Sequence, residues 1–352
     1  MKRILSLLIV FVLCLGLAAC GSAPEEPIEA ADVTPEAEPA EEITPEPTEE
    51  PAPEMDSDLP VNVMVLNGTT GFGMAKLMAD SANGDAALNY TFSVETDASN
   101  VTAALISGTC DIAALPTNAA ATVYNKTEGG VQILALNTLG VPYVVTSEAV
   151  TVNSLTDLSG HTVYIPAQNP TILFHALCQA AGVADITVDN TYAQPADLRT
   201  ALAAGEIDIA VLPEPMVTIA CAANENLTVA LDLTAEWDNV YPAGSLVQGC
   251  VVARTEFVAE HPTEVDAFLE EYGASIAYLD EDVAGAAQLI EQTGVFQQAV
   301  VAQKAIPNCN MCFVTGVEMR SAMNEFLEIL FDAAPDSIGG AIPGDDFYYL
   351  GQ

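Results

Sequence analysis

The sequence predicts an α/β protein of two similar lobes, each a doubly wound sheet flanked by helices. Three observations predict it: a repeated segment, a strand–helix alternation through most of the chain, and a run of helices at its end. The repeat is Leu105-Ile-Ser-Gly-Thr-Cys-Asp-Ile-Ala-Ala-Leu-Pro116 against Leu202-Ala-Ala-Gly-Glu-Ile-Asp-Ile-Ala-Val-Leu-Pro213, identical at seven of twelve positions in one register. Each copy reads as a helix end, a Gly that closes it in the left-handed conformation, and a short apolar strand stopped by Pro. A separation of 97 residues is too long for a solenoid repeat and suits two α/β lobes. Open α/β sheets hold ligands at the carboxyl ends of their strands, so two lobes imply a cleft where those ends face each other.

The elements follow in order. Val61 to Leu66 is an apolar strand run, Gly71 to Ala82 a helix, Tyr90 to Glu95 an alternating strand and Ala98 to Ser107 a helix. Asp111 to Leu115 is the first copy of the repeated strand. A helix over Asn118 to Lys126 and strands at Val131 to Leu136 and Tyr143 to Thr146 come next. The second lobe runs strand Thr162 to Ile165, helix Thr171 to Ala181, strand Ile186 to Asn190 and helix Pro195 to Ala204, with Pro at its first position. Asp208 to Leu212 is the second repeat copy, and Leu227 to Asp232 closes the lobe. Leu246 to Ala253 is a strand that returns the chain to the first lobe. Helices over Pro262 to Leu279, Val283 to Glu291 and Val317 to Phe331 are then expected to cover that lobe's sheet.

Before the folded body, Lys2 and Arg3, the apolar run Ile4 to Leu17 and Leu17-Ala-Ala-Cys20 read as a secretory signal too short to span a bilayer. The ending resembles the lipobox of bacterial lipoproteins, which implies cleavage before Cys20 and a diacylglyceryl group on its sulfur, an anchor of two acyl chains. Residues 21–58 carry fourteen acidic residues, no Lys or Arg, and much Pro, Ala and Thr. Such a composition buries too little apolar surface to offset its ordering entropy, so it is expected to be a disordered tether reaching about 125 Å when extended. The expected organisation is therefore a lipoprotein signal peptide at 1–19, the lipidated Cys and tether at 20–59, lobe 1 at 60–141 with 247–352, and lobe 2 at 142–246.

The formal charge is −41, from 49 acidic and 8 basic residues. The part after the tether keeps 35 acids against six bases, which repels nucleic acid and anionic membrane surfaces and excludes nucleic-acid binding. Cys110, Cys178, Cys221 and Cys250 lie in apolar segments as buried thiols do. Cys309-Asn-Met-Cys312 is a lone C-x-x-C without a second pair or a nearby His, so no metal site is read there; a disulfide is compatible with export. The three histidines, His161, His175 and His261, make no Ser-His-Asp or Cys-His arrangement, and neither a catalytic residue nor a cofactor is assigned.

The lipobox, the acidic tether, D-I-A-x-L-P, Leu155-Thr-Asp-Leu-Ser-Gly160-His-Thr-Val-Tyr-Ile-Pro166 and Leu202-x-x-Gly-x-x-Asp208-x-x-x-x-x-Glu214-Pro215 together resemble the substrate-binding lipoproteins of ABC importers in the nitrate/sulfonate/taurine group, with thiamine-pyrimidine binding proteins as near relatives. The resemblance covers nearly all of residues 60–352. It implies a type II periplasmic-binding-protein fold, two lobes joined by two crossovers, and a C-terminal helical segment on lobe 1. It also implies an extracytoplasmic monomer, lipid-anchored to the bacterial membrane, that closes on a small molecule and delivers it to permease and ATPase subunits. Two other readings stay open: a lipoprotein sensor that presents its ligand to a membrane receptor, and an enzyme of the thiamine-pyrimidine or menaquinone type on the same fold.

Candidate ligand residues sit where strands end. Asn67, Gly68, Thr69, Thr70, Gly71 and Phe72 form a Gly-rich loop whose backbone N–H groups can hold a polar group and whose Phe can stack on a ring. The same spacing describes a tight strand-to-helix turn without a ligand. Pro116, Thr117 and Asn118 follow the first repeat and Glu214 the second. Thr117 or Asn118 is equally readable as a helix cap, and Glu214 between two prolines as a carboxylate exposed to the cleft. Gln168, Asn169 and Thr171 open a helix of lobe 2, while Thr138 and Gln248 lie near the crossovers. Trp237 and Tyr241 are an aromatic wall or lobe packing. None of Lys76, Lys126, Arg199, Arg254, Lys304 or Arg320 falls on these loops. That favours a neutral or cationic heteroaromatic ligand over a sulfonate-like one, which helix N-termini alone can still bind.

Overall fold

The computed structural model describes residues 55–351; the signal peptide, Cys20 and residues 21–54 of the tether lie outside them. Eleven strands fall among the described residues: β1 (Pro60–Leu66), β2 (Asn89–Glu95), β3 (Ile112–Pro116), β4 (Val131–Thr138), β5 (Pro142–Thr146), β6 (Thr162–Tyr164), β7 (Thr187–Asp189), β8 (Ile209–Pro213), β9 (Thr228–Asp232), β10 (Gly249–Arg254) and β11 (Met311–Val314). They form two sheets, ordered β11-β4-β10-β3-β1-β2 and β7-β6-β8-β5-β9.

The two sheets share a plan. β3 lies parallel to β1 and antiparallel to β10, and β8 lies parallel to β6 and antiparallel to β5. In both, the antiparallel neighbour is the strand that enters the sheet directly from a crossover. The register is the same as well, since Pro116 opposes Gly249 and Pro213 opposes Pro142, the first residue of each entering strand. Each repeat copy therefore ends beside a crossover. The glycines of the repeat do what their spacing predicts: Gly108 closes the helix Ala98–Ser107 at φ 73°, and Gly205 sits at φ 74° just past Pro195–Ala203.

Helices cover both faces of the sheets. Val265, Phe268 and Tyr272 of the helix Pro262–Glu281 pack with Val61, Val63 and Val251 on one face of the six-stranded sheet. Met323, Phe326 and Leu330 of Gly316–Ala333 pack on the other. This second cluster does not stop at the lobe. It runs on through Trp237, Phe174 and Val211, so the two sheets share one continuous apolar core, and the rings of Trp237 and Phe326 lie 6.3 Å apart. Burial of each such side chain contributes about 1.5–3 kcal/mol.

Two elements differ from the sequence reading. The helix expected over Gly71 to Ala82 is two, Thr69–Phe72 and Ala75–Asn83. Gly73 lies between them, where a Cβ would come within 2.7 Å of Ile276 on the packed helix Pro262–Glu281. The strand expected from Leu246 begins only at Gly249, because Leu246, Val247 and Gln248 cross between the lobes.

Candidate functional site

The carboxyl ends of β3, β4, β6 and β8 and the starts of β5 and β10 gather around the crossovers, and this edge collects most of the predicted residues. The Gln248 N–H donates to the Thr138 carbonyl at 2.9 Å, and its own carbonyl accepts the Thr117 N–H at 3.2 Å. Thr117 is 1% exposed and donates from Oγ1 to the Val247 carbonyl at 2.7 Å. It pins the crossover to lobe 1; no side chain caps its helix, Thr117–Thr127, which starts at Pro116. Gln248 Oε1 accepts the Val141 N–H at 2.9 Å, and the Val141 carbonyl accepts the Glu214 N–H at 3.0 Å. Thr138, Thr117, Gln248 and Glu214 thus belong to one hydrogen-bonded chain across both crossovers.

A cavity of about 50 Å³ opens from this edge into lobe 2. Pro142, Pro166, Pro213 and Gln248 line its edge side, and it runs along the helix Asn169–Ala180 past Leu173 to Leu177, with Trp237 on its wall. Trp237 is 1% exposed and its indole N–H donates to Ser245 Oγ at 2.9 Å. Both sequence readings of this residue hold together, since it packs between the lobes and lines the cavity. Tyr241 stacks behind it with ring centroids 4.4 Å apart.

The loop before the helix Asn169–Ala180 brings Gln168, Asn169 and Thr171 to the same edge. Gln168 has φ 68° and ψ −125°, a conformation few non-glycine residues adopt, and such strain persists only where surrounding structure imposes it. Asn169 Oδ1 is buried without a hydrogen-bond partner. Thr171 Oγ1 donates to the Pro166 carbonyl at 2.9 Å and accepts from Asn190 at 2.8 Å, tying the loop to β6 and β7.

Other assignments are corrected. Phe72 is fully buried in lobe 1, edge-on to Phe296 at 6.0 Å, so its ring cannot stack on a ligand. Two N–H groups of the Gly-rich loop are taken by protein, Asn67 donating to the Glu95 carbonyl and Gly68 to the Val295 carbonyl. Gly71 serves packing, since a Cβ there would lie 2.3 Å from the Leu66 carbonyl oxygen. Only Thr70 of this loop reaches the edge cluster, through its carbonyl and Asn137 Nδ2 at 3.2 Å. Asn118 turns to the C-terminal segment and donates to the Ser337 carbonyl.

Glu214 is 4% exposed, not open to a cleft. Its carboxylate accepts from the Thr218 N–H at 3.1 Å and Thr218 Oγ1 at 3.0 Å, at the start of the helix Met216–Ala223, and from the Asn308 side chain. Burial raises its pKa in spite of these bonds.

Sequence reasoning missed the contacts that join β5 and its crossover to the segment before β11. Tyr143 Oη donates to the Asn308 carbonyl at 2.8 Å, the Leu139 N–H donates to the Asn310 carbonyl at 3.0 Å, and Asn310 Nδ2 donates to the Gly140 carbonyl. Their partners lie about 165 to 171 positions away and leave no local signal. Cys309 is buried in the same segment, its thiol donating to the Ala305 carbonyl, and neither it nor Cys312 is in a disulfide. Among the described residues no cluster of three or more His, Cys, Asp or Glu is placed to hold a metal ion.

Two mixed sheets with their repeated strands ending beside a pair of crossovers, and a cavity at that edge, define the two-lobed periplasmic-binding-protein fold. Solved structures of this class superpose on the chain. An ABC transporter structure from Parabacteroides distasonis matches with a TM-score of 0.71 and 23% identity over 84% of this chain and all of that one. The periplasmic aliphatic sulphonate binding protein SsuA from Escherichia coli matches at 0.66 and 13% over 83% and 92%. A ligand-binding component of an ABC-type import system from Staphylococcus aureus matches at 0.62 and 15% over 82% and 96%. Comparison with curated proteins finds no match. Residues 84–283 match the model of the NMT1/THI5-like family, and the chain belongs to that family.

Proposed function

We propose that the protein is the substrate-binding component of an ABC importer, a lipid-anchored extracytoplasmic monomer that captures one small molecule between its lobes and delivers it to permease and ATPase subunits. The observation that carries this reading is the placement of the cavity. It lies where the carboxyl end of the second repeated strand, at Pro213, meets Pro142 and Gln248 at the ends of the two crossovers, a position in which ligand contact can be coupled to lobe closure. Solved neighbours that bear the names of ABC transporters and their ligand-binding components support the same role.

Binding without chemistry suits the cavity walls, on which no Asp, Glu, His, Lys, Arg, Cys or Ser stands to act as acid, base or nucleophile. Gln248 is assigned to holding the ligand, Thr117 and Thr138 to tying its crossover to lobe 1, the loop Gln168 to Thr171 to the cavity mouth, and Cys20 to the lipid anchor.

Native mass spectrometry of the mature chain in detergent is expected to show one small molecule bound per chain, released by mild denaturation. Cells lacking the protein should fail to accumulate that molecule. Cys20→Ser is expected to shed the protein into the medium with the loss of the acyl mass. Wild-type uptake of the bound molecule in the deletion strain would refute the importer role.

A further inference from the structure

We infer that the ligand is an uncharged, mainly apolar small molecule that offers a single hydrogen-bond acceptor to the side-chain amide of Gln248. This rests on the substrate-binding reading above and names the chemical class that its cavity takes. Of the twelve residues lining the cavity, eleven are Pro, Leu, Val, Phe or Trp. Two side-chain polar groups stand on the walls, the Trp237 indole N–H and the Gln248 amide. The indole N–H is already committed to Ser245 Oγ at 2.9 Å.

The amide is the group that can recognise a ligand, and its orientation is fixed. A backbone N–H can only donate, so the atom 2.9 Å from Val141 N must be the Gln248 oxygen. The Nε2 end, a pure donor, is left for an acceptor on the ligand. A molecule with several polar groups would leave all but one of them desolvated against Pro, Leu and Phe.

Charge is disfavoured in both signs. Among the described residues Lys76 pairs with Asp80, Arg254 with Asp111 and Glu256, and Arg320 lies by Asp345, while no basic residue lines the cavity. Two acids, Glu214 and Asp232, follow and precede the lining residues Pro213 and Leu233 in the chain. An anion would enter beside carboxylates without a cation to replace its water. A cation would find no free carboxylate on the walls, and the Gln248 oxygen is engaged. At about 50 Å³ the cavity is small beside the roughly 150 Å³ of one that takes benzene, so it admits only a compact group and not an extended chain.

Trp237 is the sole tryptophan of the chain and lines the cavity, so its fluorescence reports occupancy. The test uses the mature full chain and four compact probes: cyclopentanone, cyclopentane, cyclopentylammonium and propanesulfonate. Cyclopentanone is expected to shift the Trp237 emission saturably and to bind more tightly than the other three. Gln248→Leu should weaken cyclopentanone about tenfold relative to cyclopentane, which returns the discrimination to the amide. Leu173→Phe, which enlarges a lining side chain and keeps Trp237 the sole tryptophan, should abolish binding of both. Tighter binding of propanesulfonate or cyclopentylammonium, or no saturable response to any probe, overturns the proposed ligand class. Recovery of a charged molecule at one per chain in the native mass spectrum would overturn it too while leaving the importer reading standing. Failure of that reading shows separately, as unimpaired uptake in the deletion strain.

Discussion

Glu214 illustrates how far a single side chain can depart from the expectation its neighbours set. Flanked by prolines it promised an exposed carboxylate; folded, it lies between Thr218 and Asn308 with almost no access to water. Burial raises its pKa above the ordinary 4.5, so the folded state holds the proton more tightly than the unfolded chain does. Its contribution to stability is therefore fully present below the unfolded value and is lost as pH rises through the raised folded one. Glu214→Gln, which does not titrate, is expected to gain in melting temperature relative to the wild type as pH rises above the ordinary 4.5. A difference that stays flat with pH would contradict this. Gly71 is the second residue whose role the fold decides. With the Leu66 carbonyl 2.3 Å from its would-be Cβ, Gly71→Ala is expected to destabilise the chain by about 1–3 kcal/mol in denaturant unfolding. Part of each surrounding is local, Thr218 for Glu214 and Leu66 for Gly71, but Asn308 and Val295 complete them from distant segments that spacing does not show.

Among the elements, those with long periodic patterns were legible. The strands of both repeat copies, the helices Ala98–Ser107 and Pro195–Ala203 and the long C-terminal helices stand within a few residues of where spacing and Gly or Pro signals put them. Short helices were not: Met216–Ala223, Leu233–Asp238 and Ala299–Ala305 escape a reading by periodicity. Helices this short are marginal alone and exist because neighbours bury one face, as Trp237 does for the second of them. The helix Asn169–Ala180 carries a different signal, a strained first residue. Replacing Gln168 by Gly, which tolerates φ 68°, is expected to stabilise the fold by about 1 kcal/mol, the relieved strain less the added entropy of the unfolded chain. A loss of stability would show that the Gln168 side chain itself holds the loop.

At the scale of the molecule, two crossovers, one shared apolar core and a bridge from β5 to the segment before β11 join the lobes. Tyr143→Phe removes the 2.8 Å bond to the Asn308 carbonyl while keeping the ring. A loss of about 1 kcal/mol raises the open population about fivefold. Hydrogen exchange should then quicken at residues 306–310 with β3 unchanged; equal protection in the variant would place the coupling in the shared core alone. The sequence by itself determined the two-lobed α/β plan, because its signals are local: apolar runs that want burial, a Gly for a left-handed turn, a Pro that stops a strand. Its doubled segment marked the two equivalent strands, β3 and β8, that end beside the crossovers. Only the tertiary structure decided which polar atoms face the cavity. The Gln248 amide is oriented by Val141, 107 positions away, and Phe72 and Glu214 lie in the interior against the equally distant Phe296 and Asn308. A side chain's exposure is set by whatever packs against it, and most of what packs here comes from distant parts of the chain.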